Sequence, residues 1–361
     1  MSATLHPDTD SLRPEVMTLR SVAAHIALVC ASLCAVLLVL ELSLRAFYPA
    51  PVRFFYPQES YDIDREIGHA LRPLQTAFTH DRPVQTSSLG LRDREFSPYP
   101  APATLRVLAL GDSQTFGNGL DLADTWPKQL EQKLQTLDRA MRWEVVNGGI
   151  PGTDTWQQEI ALGRLLDTLH PHAVVLGLYV NDVTPRYDVS RADAVGQTNT
   201  GSKRLAYLLK RSALVTWLYY GVVLPWQARR TGDSSTEDAV VAGRDNERAE
   251  RGWRQVERSL AGMKDRCDSR TVMFLVALLP RRDQVSGQNP ARGYNARALA
   301  IAEKHGIAIV DLQPDLAAAY RLHGTSLFIP WDGHNGAAAN RVIAERLAKS
   351  LVSETTKIGG F

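Results

Sequence analysis

The sequence predicts an α/β protein, a three-layer α/β/α sandwich with a five-stranded parallel sheet, preceded by one N-terminal transmembrane helix. The sheet is predicted because, after residue 104, short apolar runs alternate with longer helical stretches. Such runs are typical of strands buried on both faces, and the alternation is typical of a parallel sheet covered by helices. The membrane helix is predicted from one long uncharged segment near the N-terminus.

This uncharged segment covers residues 21–40 and is rich in Leu, Val and Ala. About 20 apolar residues are enough for a helix to cross the hydrocarbon core. A buried soluble helix of this length would usually keep a polar face, and a cleaved signal peptide would be followed by a small-residue cleavage site, which is missing here. We therefore predict a short tail over 1–20 and a transmembrane anchor over 21–44. Arginines flank the segment equally on both sides, so charge does not orient it.

The next stretch, residues 45–104, is predicted to be a stalk and packing extension. Its prolines favour extended and irregular backbone at both ends. Residues 61–94 carry enough apolar side chains to pack on the following domain.

The main domain is predicted over 105–352, with a tail over 353–361. Its predicted strands are 106–110, 143–147, 172–180, 271–279 and 307–312. Its predicted helices are 125–138, 154–169, 245–266, 290–305 and 336–352.

An insertion at about 185–250 interrupts this alternation. Its part from 205 to 226 is apolar and aromatic, but Lys210 and Arg211 divide it. The uncharged remainder is short for a membrane span, which favours a cap helix beside the site or a helix lying on the membrane surface. The polar stretch 231–250 is predicted to be a mobile loop.

Composition excludes several functions. The 41 basic and 39 acidic residues are well mixed and give a net charge of +2, so no basic face suggests nucleic-acid binding. Three cysteines offer neither a disulfide framework nor a metal-type pair. We expect no metal and no cofactor.

The first candidate site residue is Ser113, in a Gly-Asp-Ser turn directly after the first predicted strand. Reacting groups in open parallel sheets collect at the carboxyl ends of the strands. The same tripeptide recurs around Ser234, without a preceding strand. The alternative role for the first copy is a helix N-cap, since Asp and Ser both cap helices well.

Three further segments are predicted at the same edge of the sheet. A glycine-rich turn covers 147–155, an apolar strand ends at Asn181-Asp182, and the segment 328–335 contains Asp332 and His334 just before the last helix. Acyl transfer needs a hydroxyl nucleophile, a base, a carboxylate that holds the base, and donors for the oxyanion. These segments supply each part. The glycine-rich turn lacks the spacing of a dinucleotide site and the lysine of a P-loop.

The ordered set of segments resembles the SGNH (GDSL-type) hydrolase superfamily over about residues 105–352. The upstream Ser88-Leu89-Gly90-Leu91-Arg92 and the N-terminal anchor resemble membrane-anchored bacterial members. The resemblance implies a flavodoxin-like sheet and a catalytic domain on the periplasmic side of the cell inner membrane.

The resemblance also implies a role for each matching residue. Ser113 would be the nucleophile, His334 the general base and Asp332 the carboxylate that orients it. The backbone N–H groups of Ser113 and Gly152 and the side chain of Asn181 would form the oxyanion hole. Other acids that end strands or begin helices (Asp154, Asp182 and Asp311) are alternatives for the triad acid.

Three features depart from the common family pattern. Gln114 follows the serine in place of leucine, and Tyr179 stands where many members have glycine, which narrows the pocket. The acid and base are spaced Asp332-x-His334, one residue closer than in common esterases, as in alginate-type O-acetyltransferase relatives.

The resulting expectation is a membrane-anchored serine esterase acting on acyl esters, acetyl esters among them, of an envelope carbohydrate or lipid. Two alternatives stay open: an O-acyltransferase to a polysaccharide with the same triad, and a non-catalytic membrane-tethered binding subunit.

Overall fold

The computed structural model describes residues 19–47, 55, 57–184, 209, 211–231, 233–330 and 332–357. The chain forms two units, Met1–Pro49 and Ala50–Phe361. In the first unit, helix α1 (Leu19–Phe47) is long and apolar enough to cross a membrane, and the most apolar part of its surface is not buried in protein. A membrane anchor and a signal sequence both meet this description.

The second unit begins with two antiparallel hairpins. Strand β1 (Tyr61–Asp64) pairs with β2 (Gly68–Leu71), and β3 (Thr76–Thr79) pairs with β4 (Arg82–Gln85). These hairpins lie in the segment that we expected to pack on the domain. Next to them, the buried guanidinium of Arg92 donates hydrogen bonds to carbonyl groups of residues 116, 117 and 120. The extension is thereby joined to the region just after the first strand of the main sheet.

The main sheet has five parallel strands, as predicted. They are β5 (Thr104–Gly111), β6 (Arg142–Gly149), β7 (Ala173–Leu178), β8 (Met273–Leu278) and β9 (Ala308–Asp311). Their order across the sheet is β6-β5-β7-β8-β9, which is the flavodoxin-like order. Strand order reverses between β5 and β7. Ligand sites of such sheets lie at the carboxyl ends of the strands beside this reversal.

The second unit also contains helices on both sides of this sheet and in the insertion. They are α2 (Ser113–Phe116), α3 (Trp126–Leu137), α4 (Thr155–Leu169), α5 (Ala213–Leu218), α6 (Leu224–Thr231), α7 (Asp233–Val241), α8 (Glu247–Asp268), α9 (Arg282–Ser286), α10 (Gly293–Lys304), α11 (Gln313–His323) and α12 (Ala337–Lys357). Helices α4, α8 and α10 bury apolar side chains in one core, and α3, α11 and α12 do so in the other. The α/β/α sandwich is therefore confirmed.

The predicted mobile loop over 231–250 is wrong. Most of that stretch is helical, with α7 ending at Val241 and α8 beginning at Glu247. Val240 and Val241 are buried in the core, and the Asn246 side chain caps α8 by accepting from the Ala249 N–H at 2.9 Å. The stretch therefore packs on the domain as helix, although its average composition is polar. The part of the insertion over 185–208 lies outside the described residues.

Two further elements differ from the prediction. The third strand ends at Leu178, because residues 180–183 turn into a short 3-10 helix, and α11 was not predicted. The segment 205–226 falls partly outside the described residues; its remainder contains α5, a π-helical turn at Tyr219–Val223 and the start of α6.

Candidate active site

Ser113 occupies a tight turn between β5 and α2. Gly111 has φ 149°, and a Cβ there would collide with the Thr115 hydroxyl, so the turn requires glycine. The Asp112 side chain caps α2 by accepting from the Gln114 N–H at 2.8 Å. The helix is thus capped by Asp112 and not by Ser113. Asp112 supplies the cap, and the Ser113 hydroxyl is left to face another segment.

That segment is the one that contains Asp332 and His334. His334 Nε2 lies 2.8 Å from Ser113 Oγ, and His334 Nδ1 lies 2.9 Å from Asp332 Oδ2. The segment is fixed to the serine turn because the Asn335 N–H donates to Gln114 Oε1 at 3.1 Å. The glutamine that replaces leucine after the serine therefore holds the histidine segment in place. The structure brings Ser113, His334 and Asp332 into one line.

Electrostatics within this line favours a charged pair. Burial opposes ionisation of Asp332, but the charge and hydrogen bond of His334, with a smaller effect of His80, lower its pKa. Burial likewise opposes protonation of His334, but the charge of Asp332, their hydrogen bond and Asp112 raise the pKa of the imidazole. A raised pKa makes His334 a stronger proton acceptor.

His80 is a residue that the sequence analysis missed. Its Nε2 lies 3.5 Å from Asp332 Oδ2, the oxygen that also faces His334. It stands in the two-residue loop of the β3–β4 hairpin, with φ 55°. The alternation around this loop could have predicted a hairpin. However, no spacing rule connects it with a carboxylate 252 residues later in the chain.

Asn181 lies in the 3-10 helix that follows β7, on the other side of the serine turn. Its side-chain Nδ2 donates to Asp112 Oδ2 at 2.7 Å. An amide NH₂ has two hydrogens, so one remains to donate to another acceptor. Asp112 thus fixes the orientation of Asn181.

Gly152 lies in the turn that follows β6, with φ 78°. The carbonyl of its neighbour Pro151 accepts from His69 Nε2 at 2.9 Å. Among the described residues, those that line the cleft at Ser113 do not include Gly152.

The three alternative acids have other contacts. Asp182 Oδ2 accepts from the Tyr179 N–H at 2.9 Å, Asp154 is the N-cap residue of α4, and Asp311 pairs with Arg292 and Asn295. Burial raises the pKa of both Asp112 and Asp182, and their mutual repulsion adds to the rise at Asp182. Of the aspartates named, the one paired with His334 is Asp332.

An open cleft of about 550 Å³ gives access to the serine. One side is formed by the site residues themselves and by Tyr179. The other side is polar and comes from α7 and the β8–α9 segment, with Glu237, Arg281, Arg282, Asp283 and Gln288 as lining residues. Arg281 is held in place by Asp238 at 2.8 Å and Asp283 at 2.6 Å. Within the described ranges, no group of three or more His, Cys, Asp or Glu side chains is arranged to hold a metal ion.

The parallel sheet, with a hydroxyl, an imidazole and a carboxylate in line at its carboxyl edge, defines an α/β/α protein with the parts of a nucleophilic hydrolase. The chain belongs to the GDSL-like lipase/acylhydrolase family, whose sequence profile matches residues 109–342. It is therefore an enzyme of the class that hydrolyses ester bonds.

Several solved structures are similar to this chain. One is TesA, with 17% identity, 68% of this chain and 98% of that chain covered, and a TM-score of 0.41. The esterase EstA from Pseudoalteromonas sp. is 12% identical, with 70% of this chain and 98% of that chain covered and a TM-score of 0.42. A catalytic mutant of Axe2, an acetylxylan esterase from Geobacillus stearothermophilus, is 15% identical, with 71% of this chain and 95% of that chain covered and a TM-score of 0.40. No curated protein sequence matches the chain at a significant level.

Proposed function

We propose that this protein is a membrane-anchored serine esterase in which Ser113 is the nucleophile, His334 the general base and Asp332 the orienting acid. Its substrates are acyl esters, acetyl esters among them, of an envelope carbohydrate or lipid. The observation that carries the proposal is the continuous line of contacts from Asp332 through His334 to Ser113, at 2.9 and 2.8 Å. These distances are within hydrogen-bond reach, as proton transfer between nucleophile and base requires.

In the proposed first step, Ser113 Oγ attacks the ester carbonyl carbon while its proton passes to His334 Nε2. Asp332 holds the Nδ1 proton and stabilises the imidazolium that forms. When the tetrahedral intermediate collapses, His334 returns the proton to the leaving alcohol, and the acyl group stays on Ser113. Water then attacks the acyl-enzyme with His334 again as base, and the carboxylic acid is released.

The negative oxygen of the tetrahedral intermediate needs preorganised donors. We assign this role to the N–H groups of Ser113 and Gly152 and to the side chain of Asn181. The contact between Asn181 and Asp112 supports its part, because it fixes the amide before substrate binds and leaves the second N–H available.

We further propose that α1 anchors the protein in the cell inner membrane and that the catalytic domain is periplasmic. The length and apolar surface of α1 support an anchor. The side of the membrane follows from the family resemblance, since the flanking charges are balanced. Protease accessibility of the domain in spheroplasts tests the side directly: digestion from outside supports it, and protection contradicts it.

The experiment that tests the esterase uses the full chain in detergent. It is treated with a fluorophosphonate probe, and the modified residue is located by mass spectrometry. Hydrolysis of a short-chain acyl ester is measured in parallel. Labelling at Ser113 together with turnover supports the proposal, and labelling at another serine contradicts it. Labelling at Ser113 without hydrolysis would instead indicate an acceptor other than water, and hence an acyltransferase.

A further inference from the structure

A second concave surface lies at the N-terminal half of α8, away from the residues that line the serine cleft. This groove, which we call the arginine groove, has a volume of about 660 Å³. It is lined by Trp156, Arg248, Arg251, Gly252, Arg254, Gln255 and Arg258. Four of its seven lining residues are arginines from a single helix, so its wall is strongly basic.

The arginines share one side of α8 because of their spacing. At about 100° per residue, positions 248, 251, 254 and 258 fall within an arc of about 120°. Two of the acidic residues of the helix point elsewhere. Glu250 pairs with Arg297 at 2.6 Å, and Glu257 pairs with Lys304 at 2.7 Å, both on α10. These two acids therefore face α10, whereas Glu247 shares the arc of the arginines.

This clustering of arginines is only partly offset by Glu247 and Glu250 in the first turn of the helix. Like charges three or four residues apart repel, and cations near a helix N-terminus oppose the helix dipole. Arg251 has only a long, exposed contact with Glu247 at 3.8 Å. Arg254 and Arg258 form no ion pair within the described part of the chain. Arg258 donates hydrogen bonds to Gln255 Oε1 at 2.9 Å and to the Arg254 carbonyl at 3.2 Å. Because a guanidinium group has five N–H donors, the cluster still has donors to offer an external anion.

The groove lies at the same edge of the sheet as Ser113. Trp156 is the second residue of α4, directly after the turn that contains Gly152. On the opposite wall, a Cβ at Gly252 would collide with the carbonyl of Val183, at the end of the 3-10 helix that contains Asn181. A ligand in the groove would thus lie beside the two elements to which we assign oxyanion donors.

We propose that the arginine groove binds an acidic polysaccharide, with guanidinium groups paired to its carboxylates and a sugar face lying on Trp156. Guanidinium groups match carboxylates in bidentate geometry. The row from Arg248 to Arg258 extends over about 15 Å of helix, which suits an extended ligand with several charges rather than a single anion. A bilayer is the less fitting occupant, because interfacial binding needs projecting apolar side chains, whereas Trp156 is half-buried in a concave wall.

The test measures binding of polygalacturonate oligomers to the full chain in detergent, carrying Ser113→Ala so that no turnover interferes. We expect binding that weakens with salt, since the contacts are exposed, and no binding of uncharged dextran of the same length. Arg251→Gln with Arg254→Gln should weaken binding about tenfold. The matched control, Arg321→Gln with Arg341→Gln, removes the same charge from exposed arginines of α11 and α12 and should leave binding unchanged.

Three outcomes would overturn this proposal. They are equal binding of dextran, equal loss in both double variants, and tighter binding of monomeric dihexanoyl phosphatidylglycerol than of the polymer, which would indicate a lipid-headgroup site. Trp156→Leu should weaken binding of the polymer and leave that of free sulfate unchanged.

A consequence for turnover rests on the proposed esterase. With an acetylated acidic polymer as substrate, the Arg251/Arg254 double variant should raise KM at unchanged kcat and leave hydrolysis of a small ester unaffected. Polymer binding without hydrolysis of any ester would refute the proposed esterase activity, whereas the proposed binding site in the arginine groove would still stand. Hydrolysis of small esters without polymer binding would refute the groove and leave the esterase.

Discussion

Two buried carboxylates flank Ser113, and their surroundings act in opposite directions. Asp332 faces two imidazoles, His334 and His80, which lower its pKa despite burial. Asp112 faces an amide, a backbone N–H and, with a smaller effect, the charge of His334, and burial raises its pKa despite all three. The comparison separates two tasks. Asp332 keeps a negative charge next to His334, and Asp112 holds the Asn181 amide in position. Divergent pKa directions of neighbouring acids are a common sign of divided roles.

Removal of the nucleophile or of the base should reduce activity most. Ser113→Ala and His334→Ala should each lower kcat by about 10⁴-fold or more, because the two groups act as a unit. Ser234→Ala, in the second copy of the tripeptide, should change nothing. Esterase assays of the three folded variants check this, and equal losses at positions 113 and 234 would refute the assignment.

Next in size is neutralisation of the acid. Asp332→Asn should lower kcat by about 10³- to 10⁴-fold, since the imidazole loses its orienting partner. The pH profile adds an independent check. In the wild type, activity should rise with pH as His334 deprotonates, with a midpoint above about 6.5 because its pKa is raised. In Asp332→Asn the residual activity should have its midpoint at lower pH. An unmoved midpoint would show that Asp332 does not set the pKa of the base.

On the opposite side of the serine, Asn181→Ala should lower kcat by about 10²- to 10³-fold, as expected for one oxyanion donor, with KM little changed. Asp112→Asn should lower kcat less than Asn181→Ala does, because the Asn181 amide remains present and is only held less firmly. The midpoint of the pH profile should move less than in Asp332→Asn. If Asp112→Asn shifted the midpoint as far as Asp332→Asn, the division of tasks drawn above would fail.

Removal of the second imidazole, His80, should reduce activity least. His80→Gln should lower kcat about two- to fivefold, since it removes one partly screened partner of Asp332 at 3.5 Å. His80 lies against the same Asp332 oxygen that faces His334, so its removal should also move the midpoint of the pH profile slightly. His305→Gln is the matched control, because His305 contacts Glu257 and neither residue lines the serine cleft. A change in stability alone, with an unaltered pH profile, would make His80 a packing residue.

Parts of this site were predictable because they depend on local patterns. The apolar run before Ser113, the strand before Asn181 and the position of His334 before the last helix each predict a place at the carboxyl edge of a parallel sheet. The wrong prediction of a mobile loop over 231–250 arose because that stretch is ordered by contacts that a local pattern does not report. Average polarity predicts disorder, whereas burial of two valines depends on which surface α7 meets.

The amino-acid sequence alone predicted the layers of the fold, the order of the segments with candidate site residues and the apolar N-terminal helix. These follow from periodicity and composition, which act over a few residues and report which face of an element is buried. The folded chain was needed to show that His80 faces Asp332, that Gln114 fixes the histidine segment and that the arginines of α8 and Trp156 line one groove. Each of these contacts joins segments far apart in the chain. Their approach depends on how whole elements pack, and no local pattern encodes that.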